Sequence, residues 1–572
     1  MSWLLLPLFA CAPKSAEVAE PPESPELPVA AELASTAPTL ATLDFPVDPA
    51  IAAAAEGLLD VAFTLAPYMA ADAGLSDDAI RVPSYTDEAR GELLARILLH
   101  EQALQALDWD ALSVDEQIDV RWLLANAATM EHQLQVERRW EHRPSEWLEP
   151  VAYALIGLAS YAPDRPELQR ELAALVPGML DEMRELVVAP TRRDVDTASE
   201  ILSGIVAMLE QLGDADEAIA ALQAYDAELK ALADLPEYRV IGAEAYAWRL
   251  EHAMLLPWTP DELLAVAEAE LARVEARIEE LAPQLGEARG PTPEETAAAE
   301  ALDADGLLRI YDELVETNLA KLRELDVITV SPDLPAIKAR PTPAPLIPLT
   351  GDGGSMNPPP LFGPQSVGWW NVENFSDDWD LDRRMRVVLN AGRQHETWFG
   401  PYAVHEGVPG HHLQLAEVRA NPDPIRTLFV DGATIEGWGL YAEELFWENG
   451  GFGEAVAAEH AMLRSYRARI RRVVYDVKVE TEVWDLHEAA AWRAGREGVD
   501  VDRDVLRAIQ WPTQLIGYFA GKHQIMLLRE KVRAAQGEAY SEKAFNDAIL
   551  GAGLVPLSLV EAKLLGEPIP AP

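Results

Sequence analysis

The chain has 572 residues, which is too long for one compact core and predicts several domains or one large multi-lobed body. Its composition, 49% hydrophobic and 25% charged, is typical of a globular protein and excludes wholesale disorder. The formal net charge of −50 repels phosphates and anionic headgroups, so no nucleic-acid partner is expected, and contact with a membrane is expected only through an anchor. The single cysteine, Cys11, excludes an intrachain disulfide and a cysteine-based zinc finger, so any metal must be held by histidines and carboxylates.

The N-terminal residues 1–11 form a short apolar run ending in Leu8-Phe9-Ala10-Cys11, which resembles the lipobox of bacterial lipoproteins. No Lys or Arg precedes the run, as a signal peptide would normally have. Residues 12–45 are rich in Pro, Glu, Ala and Ser without apolar periodicity, which indicates a flexible linker. We therefore predict a lipoprotein signal peptide over 1–11, lipidation at Cys11, and a lipid-anchored protein of the cell envelope, either periplasmic or on the outer membrane.

Helical periodicity extends through most of residues 46–330, where Ala, Leu and Glu dominate. Two tetrapeptides, Thr259–Glu262 and Thr292–Glu295, indicate helix starts, because each places a capping threonine before a proline and two carboxylates. The regular stretches predict helices over Ile51–Ala71, Glu88–Leu107, Val114–Trp140, Arg165–Val188, Ala198–Ala233 and Pro260–Ala282.

The pattern changes over residues 331–375, a connection crowded with Pro and Gly that cannot form a regular helix. Within it, Val367–Phe375 has the aromatic and β-branched composition of a short strand, which we expect to be available for pairing with an extended peptide. Helical patterns return over 376–572, the region expected to carry the chemistry. The sequence therefore predicts a mainly α protein, a large multi-helical body with a small β-element near the active-site cleft.

The most informative segment contains three histidines close together: His405, His411 and His412, with Glu406 after the first. In the common zinc-hydrolase helix, two histidines four positions apart bind the metal, and the glutamate after the first acts as general base. Here the second histidine follows six or seven positions later, which on a regular helix means a rise of roughly 9 to 10 Å. One ion cannot bridge that separation, so a regular helix would not form the site.

Pro409 and Gly410 show that the helix is not regular at this point. Proline has no N–H to donate and its ring would clash with the carbonyl of His405, while glycine permits backbone angles closed to other residues. We therefore expect a break at 407–410 that lets His405 and His411 converge on one metal. The spacing alone leaves the neighbouring His412 as an alternative second ligand.

A zinc site with two histidines commonly takes a carboxylate as third ligand and leaves one position open for water. Glu436 and Glu443 lie on a helical stretch downstream, seven positions apart and therefore on one face. One of them can bind the metal while the other orients a histidine ring.

Further candidates lie nearer the C-terminus. Tyr518 is a candidate donor to the oxyanion formed in amide hydrolysis, and Lys522, one helical turn later, is placed to assist it. A run of arginines would hold a peptide carboxylate if it faced the cleft, although such runs more often form a solvated face. This run comprises Arg464, Arg467, Arg469, Arg471 and Arg472.

These motifs together resemble the bacterial family known only as domain of unknown function 885, which is grouped with gluzincin-type zinc metallopeptidases. The resemblance covers most of the chain after about residue 50. It is carried by His405-Glu406-x-x-Pro409-Gly410-His411-His412-x-Gln414, Glu436-Gly437-Trp438-x-x-Tyr441-x-Glu443, Gly517-Tyr518-x-x-Gly521-Lys522, Arg529 and Ile549–Leu557.

The resemblance implies a mostly helical, metallopeptidase-like fold, a Zn²⁺ cofactor, and His405, His411 and Glu436 as its ligands. Position 412 is sometimes Tyr in the family, which favours His411 over its neighbour. The chain departs from the family where members tend to show Asp, His and Trp, so substrate preference does not carry over. The corresponding residues of this chain are Asp476, Glu480 and Trp484.

The sequence thus predicts a zinc-dependent hydrolase that cleaves peptides, with Glu406 as general base and Tyr518 as a second catalytic residue. Two alternatives stay open: a metal-dependent hydrolase of a non-peptide amide or ester, and a catalytically inactive lipoprotein that binds peptides. The residues expected to support the metal or contact the substrate are His412, Tyr441, Glu443, Arg471 and Lys522.

Overall fold

The computed structural model describes residues 38–286, 289–343, 347, 351–363, 366–453 and 455–572. The predicted signal peptide, the lipidation site Cys11 and residues 12–37 of the predicted linker lie outside these described residues. Within the described ranges, none of the helices has the length and apolar character needed to span a membrane.

The protein is mainly helical, as predicted. The helices of the N-terminal region are α1 Pro49–Leu65, α2 Tyr68–Ala73, α3 Asp87–Gln105, α4 Val114–His132, α5 Ser145–Tyr161, α6 Pro166–Leu186, α7 Arg192–Leu212, α8 Asp216–Lys230, α9 Ala243–Trp248, α10 Pro260–Leu281, α11 Pro293–Glu300 and α12 Ala304–Leu325. Those of the C-terminal region are α13 Leu381–Gly392, α14 Phe399–Glu406, α15 His411–Ala420, α16 Pro424–Leu428, α17 Gly432–Glu448, α18 Val456–Glu480, α19 Leu486–Ala494, α20 Arg503–Gln510, α21 Gly517–Gln536, α22 Glu542–Gly551 and α23 Leu557–Leu565.

The helix starts predicted at Thr259 and Thr292 are confirmed. Each threonine hydroxyl accepts a hydrogen bond from the backbone N–H three positions later, and the glutamate at that position accepts one from the threonine N–H in return. Two predicted helices are each divided in two. The stretch 51–71 breaks before Pro67, between α1 and α2, and the stretch 198–233 breaks at Gly213, whose positive φ of 71° ends α7.

A three-stranded sheet lies in the predicted Pro- and Gly-rich connection. Its strands are β1 Ala336–Pro341, β2 Ser355–Asn357 and β3 Val367–Val372, of which only β3 was predicted. The order is β1-β3-β2, with β1 parallel and β2 antiparallel to β3. The expectation that the aromatic strand is free to pair with a peptide is therefore wrong, because β3 is central and both of its edges are occupied.

The outer edge of β1 is also contacted, since Ala339 N–H donates to the Asp312 carboxylate of α12 at 2.8 Å. On β3, the Trp370 indole is fully buried and its N–H donates to the Tyr402 hydroxyl of α14 at 3.0 Å. The sheet is thus packed between α12 and α14, next to the break at 407–410.

The largest apolar core contains side chains from both halves of the chain, including Leu58, Leu123 and Leu155 from the N-terminal region and Trp438 and Phe446 from α17. Because these residues share one core, the two helical regions pack against each other rather than forming separate bodies.

Three arginines of the N-terminal region hold the end of α20 and the turn that follows it. Arg139 donates to the carbonyl oxygen of Gln510 at 2.7 Å, and Arg249 donates to that of Pro512 at 2.9 Å. Arg143 donates to the carbonyl of Ile509. This turn leads directly into α21, so the start of that helix is fixed by side chains more than 250 positions away in sequence.

Helices α17 and α21 approach each other backbone to backbone. A Cβ atom added at Gly437 would lie 2.4 Å from the Cα of Gly521, and one added at Gly521 would lie 1.8 Å from the Ala433 carbonyl oxygen. Only glycine fits at these two positions, so the contact brings the carboxylates of α17 close to the aromatic start of α21.

Candidate metal centre

The predicted break at 407–410 is confirmed: α14 ends immediately before it and α15 begins immediately after it. The peptide bond before Pro409 is cis. A Cβ at Gly410 would lie 2.0 Å from the His405 carbonyl oxygen, so only glycine fits where the chain folds back on α14. The Trp438 indole N–H of α17 donates to the Pro409 carbonyl at 2.9 Å, which fixes the break against the next helix.

The break brings His405, His411 and Glu436 together, with one ligand atom from each lying within 4.8 Å of the other two. The Glu436 Oε2 atom lies 3.5 Å from Nε2 of His405 and 3.5 Å from Nε2 of His411. The two imidazole rings are nearly perpendicular, with centroids 4.6 Å apart. Tetrahedral zinc with ligand bonds of about 2.0–2.1 Å requires ligand atoms about 3.4 Å apart, so the spacing fits such an ion.

The group is buried, with His405 2%, His411 0% and Glu436 5% exposed. Within the described part of the chain, His411 Nε2, Glu436 Oε2 and Glu406 Oε2 are buried without a hydrogen-bond partner. A buried polar atom without a partner is costly, and in native structures such atoms point to a bound ion or water. The first two atoms therefore fit a bound cation, and Glu406 lies close enough to interact electrostatically with His405 and Glu436.

Burial raises the pKa of Glu436, but the close contacts of its carboxylate with the two imidazoles outweigh that effect and hold the pKa below its ordinary value. Burial likewise lowers the pKa of His405, while contacts with Glu436 and Glu443 more than reverse this and raise it. The carboxylates therefore impose a negative potential on the centre, which favours a positive charge there.

The far side of each imidazole is held by a hydrogen-bonding partner. His405 Nδ1 lies 2.9 Å from Glu443 Oε1, and the other oxygen of Glu443 accepts a hydrogen bond from the Ser465 hydroxyl of α18 at 2.8 Å. His411 Nδ1 lies 3.5 Å from the Gln414 side-chain oxygen. When Nδ1 donates its proton to such a partner, the lone pair of Nε2 is left for a metal. Ser465 was not predicted from the sequence.

Gly439 lies one helical turn after Glu436 and faces both rings. A Cβ at this position would lie 2.8 Å from His405 Cε1 and 2.9 Å from both Cε1 and Nε2 of His411. The imidazoles therefore pack directly against the backbone of α17. Sequence reasoning missed this residue, and the signal for it is its position three residues after a ligand carboxylate within a helix.

Tyr518 lies beside the centre, with its ring centroid 6.2 Å from that of His405. Arg507 Nη2 donates to the Tyr518 hydroxyl oxygen at 3.5 Å, and the Arg472 guanidinium lies 4.8 Å from the ring centroid. Burial raises the pKa of the phenol, so it stays protonated and retains a hydrogen to donate. Sequence reasoning did not connect Arg472 or Arg507 with Tyr518, since neither follows from helical spacing.

Two residues predicted near the site are directed elsewhere. His412 Nε2 lies 2.8 Å from the Pro335 carbonyl oxygen, before β1, so its ring turns away from its neighbouring histidine. Tyr441 donates its hydroxyl hydrogen to the Asn546 side chain of α22 at 2.9 Å. Both are buried, and these contacts fix α15 and α17 against neighbouring elements rather than against a metal.

Lys522 and Arg471 also have other partners. Lys522 forms an ion pair with Glu444, and its ammonium lies 3.2 Å from the centroid of the Tyr466 ring. Arg471 donates to the Trp492 carbonyl oxygen at 2.8 Å and stacks over the same residue's indole. The structure therefore does not bring either cation to the three-residue group.

Two solved structures have a fold similar to that of this chain. No curated protein matches the chain. A candidate lipoprotein of unknown function from Shewanella oneidensis is similar in structure, with a TM-score of 0.71 and 18% identity over 90% of this chain and 99% of that one. A candidate lipoprotein from Colwellia psychrerythraea is similar with a TM-score of 0.61 and 17% identity over 90% and 98% of the two chains. The model of a bacterial protein family of unknown function, DUF885, matches residues 67–564, and the chain belongs to that family.

Proposed function

We propose that the protein is a zinc-dependent hydrolase of the gluzincin-like metallopeptidase type. The observation that carries this proposal is the convergence of His405, His411 and Glu436, with the buried Glu406 in electrostatic contact with His405 and Glu436 and its Oε2 atom without a hydrogen-bond partner among the described residues. Buried, unpaired ligand atoms at metal-binding distances are costly in a protein that has no ion to bind.

Zinc fits the donor set, because two imidazoles and one carboxylate are the ligands of the known two-histidine hydrolytic sites. His405, His411 and Glu436 would hold it, and Glu443 and Gln414 would orient the two rings from behind. Bound there, Zn²⁺ would supply Lewis acidity toward a carbonyl group and lower the pKa of water.

Two residues of the chain then act on the substrate: Glu406 transfers the proton and Tyr518 stabilises the developing negative charge. Glu406 accepts a proton from the attacking water and passes it to the leaving amine. The Tyr518 hydroxyl donates a hydrogen bond to the carbonyl oxygen as negative charge develops on it. Arg507, which donates to the same hydroxyl oxygen, keeps the Tyr518 hydrogen directed away from the guanidinium.

The proposed substrate is a peptide, and the proposed location is the cell envelope, with a lipid on Cys11. The lipobox-like ending of residues 1–11 supports the anchor. Two structurally similar proteins are themselves described as candidate lipoproteins, which supports it further.

The test begins with metal analysis of protein purified without chelator, where we expect about one zinc per chain. His411→Ala should abolish zinc binding, and His412→Ala is the matched control, because that ring contacts Pro335 instead. Glu406→Gln should keep the zinc but lower kcat on a peptide library by at least about 100-fold.

Three results would count against the proposal or redirect it. Zinc retained in His411→Ala would remove the assigned ligand set. A zinc-loaded wild type that cleaves only esters or non-peptide amides would identify the first alternative. A wild type that binds peptides without cleaving them would identify the peptide-binding lipoprotein.

A further inference from the structure

A cavity of about 100 Å³ lies directly against the candidate metal centre, because Glu436 forms part of its wall. The rest of the wall comes from α2, β2 and the segment after it, α15, α16, α17 and the turns before α21 and α23. It is mainly apolar. Side chains that line it include Met69, Met356, Leu415, Val418 and Leu554.

The size of the cavity limits what can enter it. An apolar cavity of about 150 Å³ accommodates benzene, so about 100 Å³ suits a branched aliphatic side chain better than an aromatic ring. Because Glu436, a predicted zinc ligand, forms part of the wall, a substrate side chain in this cavity would lie close to the bond that is cleaved.

Asp72 is the other carboxylate residue in the wall. If it were ionised, it would attract a basic side chain of the substrate in place of an aliphatic one. Its Oδ2 atom is buried and has no hydrogen-bond partner within the described residues. Burial raises the pKa of this carboxyl well above its ordinary value, which favours its neutral form while no cation lies beside it. Apart from Asp72, Glu436, Thr427 and Gln514, the side chains of the wall are apolar, which favours an aliphatic group over a charged one.

We propose that this cavity is the subsite that receives an aliphatic side chain of about leucine size from the substrate, next to the scissile bond. This inference rests on the proposed function and names the substrate class that the same site takes. An apolar pocket separates side chains that differ by one methylene by roughly 10- to 200-fold in kcat/KM, so the assignment predicts a measurable preference.

The experiment uses one peptide framework with Gly, Ala, Leu, Phe or Lys at the variable position. The wild type should cleave the leucine peptide at least about tenfold more efficiently than the glycine peptide. Ala73→Leu adds three carbons to the wall and should remove most of that preference by lowering kcat/KM for the leucine peptide. Leu415→Ala should enlarge the cavity and shift the preference toward phenylalanine.

Two further variants control for folding. Val418→Phe fills the cavity from a different helix and should repeat the effect of the first filling variant. Ala173→Leu overpacks a buried position of α6 that is not part of this wall, and should leave the preference unchanged.

A binding measurement separates the pocket from the chemistry. Leucine amide, glycinamide and lysine amide are titrated calorimetrically into the Glu406→Gln protein, which need not cleave anything. Leucine amide should bind about tenfold more tightly than the other two, and Ala73→Leu should abolish the difference.

Cleavage with no side-chain preference, a preference for lysine, or a leucine preference unchanged in both filling variants would overturn the pocket assignment and leave the proposed function standing. Selective leucine amide binding without any hydrolysis by the wild type would support the pocket assignment and overturn the proposed function. Absence of both cleavage and selective binding would overturn both.

Discussion

Replacing Gly439 by alanine tests whether the two imidazoles act as metal ligands where they lie. The added Cβ would be 2.8 Å from His405 Cε1 and 2.9 Å from His411 Cε1, whereas optimal carbon–carbon contacts are about 3.5–4.0 Å. Relieving both contacts moves each ring by roughly 0.7 Å, since the helix backbone behind the Cβ cannot retreat. Ligand distances in a zinc site vary by only about 0.2 Å, so the displacement exceeds the tolerance severalfold.

We expect the Gly439→Ala protein to fold and to bind zinc about 10- to 100-fold more weakly, which corresponds to about 1.4–2.7 kcal/mol. Alanine favours a helix over glycine by up to about 1 kcal/mol, and this gain offsets part of the overpacking cost of about 1–3 kcal/mol. The assay is competition for zinc with a chromophoric chelator, together with the thermal midpoint of the metal-free protein.

The matched control is Gly91→Ala in α3, where an added Cβ meets no atom within 4 Å. This variant should keep wild-type zinc affinity and gain about 0.4–1 kcal/mol of stability. If folded Gly439→Ala protein bound zinc as tightly as the wild type, the reasoning that these rings hold the ion against α17 would be refuted.

Three other substitutions separate catalysis, ligand orientation and fold stability. Tyr518→Phe should lower kcat by about 100-fold or more with little change in KM, and an unchanged kcat would remove it as a catalytic donor. Glu443→Gln weakens the acceptor for His405 Nδ1 and should cost about 10- to 100-fold in zinc affinity, measured by the same chelator competition. Burial raises the pKa of Glu137, but the Arg249 guanidinium outweighs it and holds the pKa at about 2, against 4.5 unfolded. Because the pKa of Glu137 is depressed in the folded protein, the pair with Arg249 contributes up to about 3 kcal/mol to the free energy of unfolding above pH 4.5, and this contribution is lost as the pH falls toward 2. In denaturant titrations, the stability of Glu137→Gln should therefore depend less on pH over that range than the stability of the wild type.

The parts of the fold and of the site that depend on neighbouring residues in the chain could be predicted from the sequence. Proline and glycine at 409 and 410 cannot continue a helix, so the break between α14 and α15 was predictable, as were the helix starts at Thr259 and Thr292. In each case the deciding interaction involves residues within a few positions of one another.

The parts that depend on packing between distant segments could not be predicted. Helical spacing places Lys522 one turn after Tyr518, but only the position of α17 decides that its ammonium meets Glu444. In the same way, Ser465 reaches Glu443 because α18 lies against α17, which no local pattern encodes. Strand β2 has three residues, too short for a periodic signal, and its pairing with β3 arises from the tertiary fold.

The arginines that bind the turn before α21 make the region after residue 375 dependent on the first half of the chain. Arg139, Arg143 and Arg249 cap carbonyl groups of residues 509–512 that a fragment covering 376–572 would expose. A nick within 331–375 should therefore leave two pieces that stay associated and elute together. Expression of the later piece alone should yield an unfolded or aggregating polypeptide, because the helix that carries Tyr518 begins on a scaffold supplied by the earlier one.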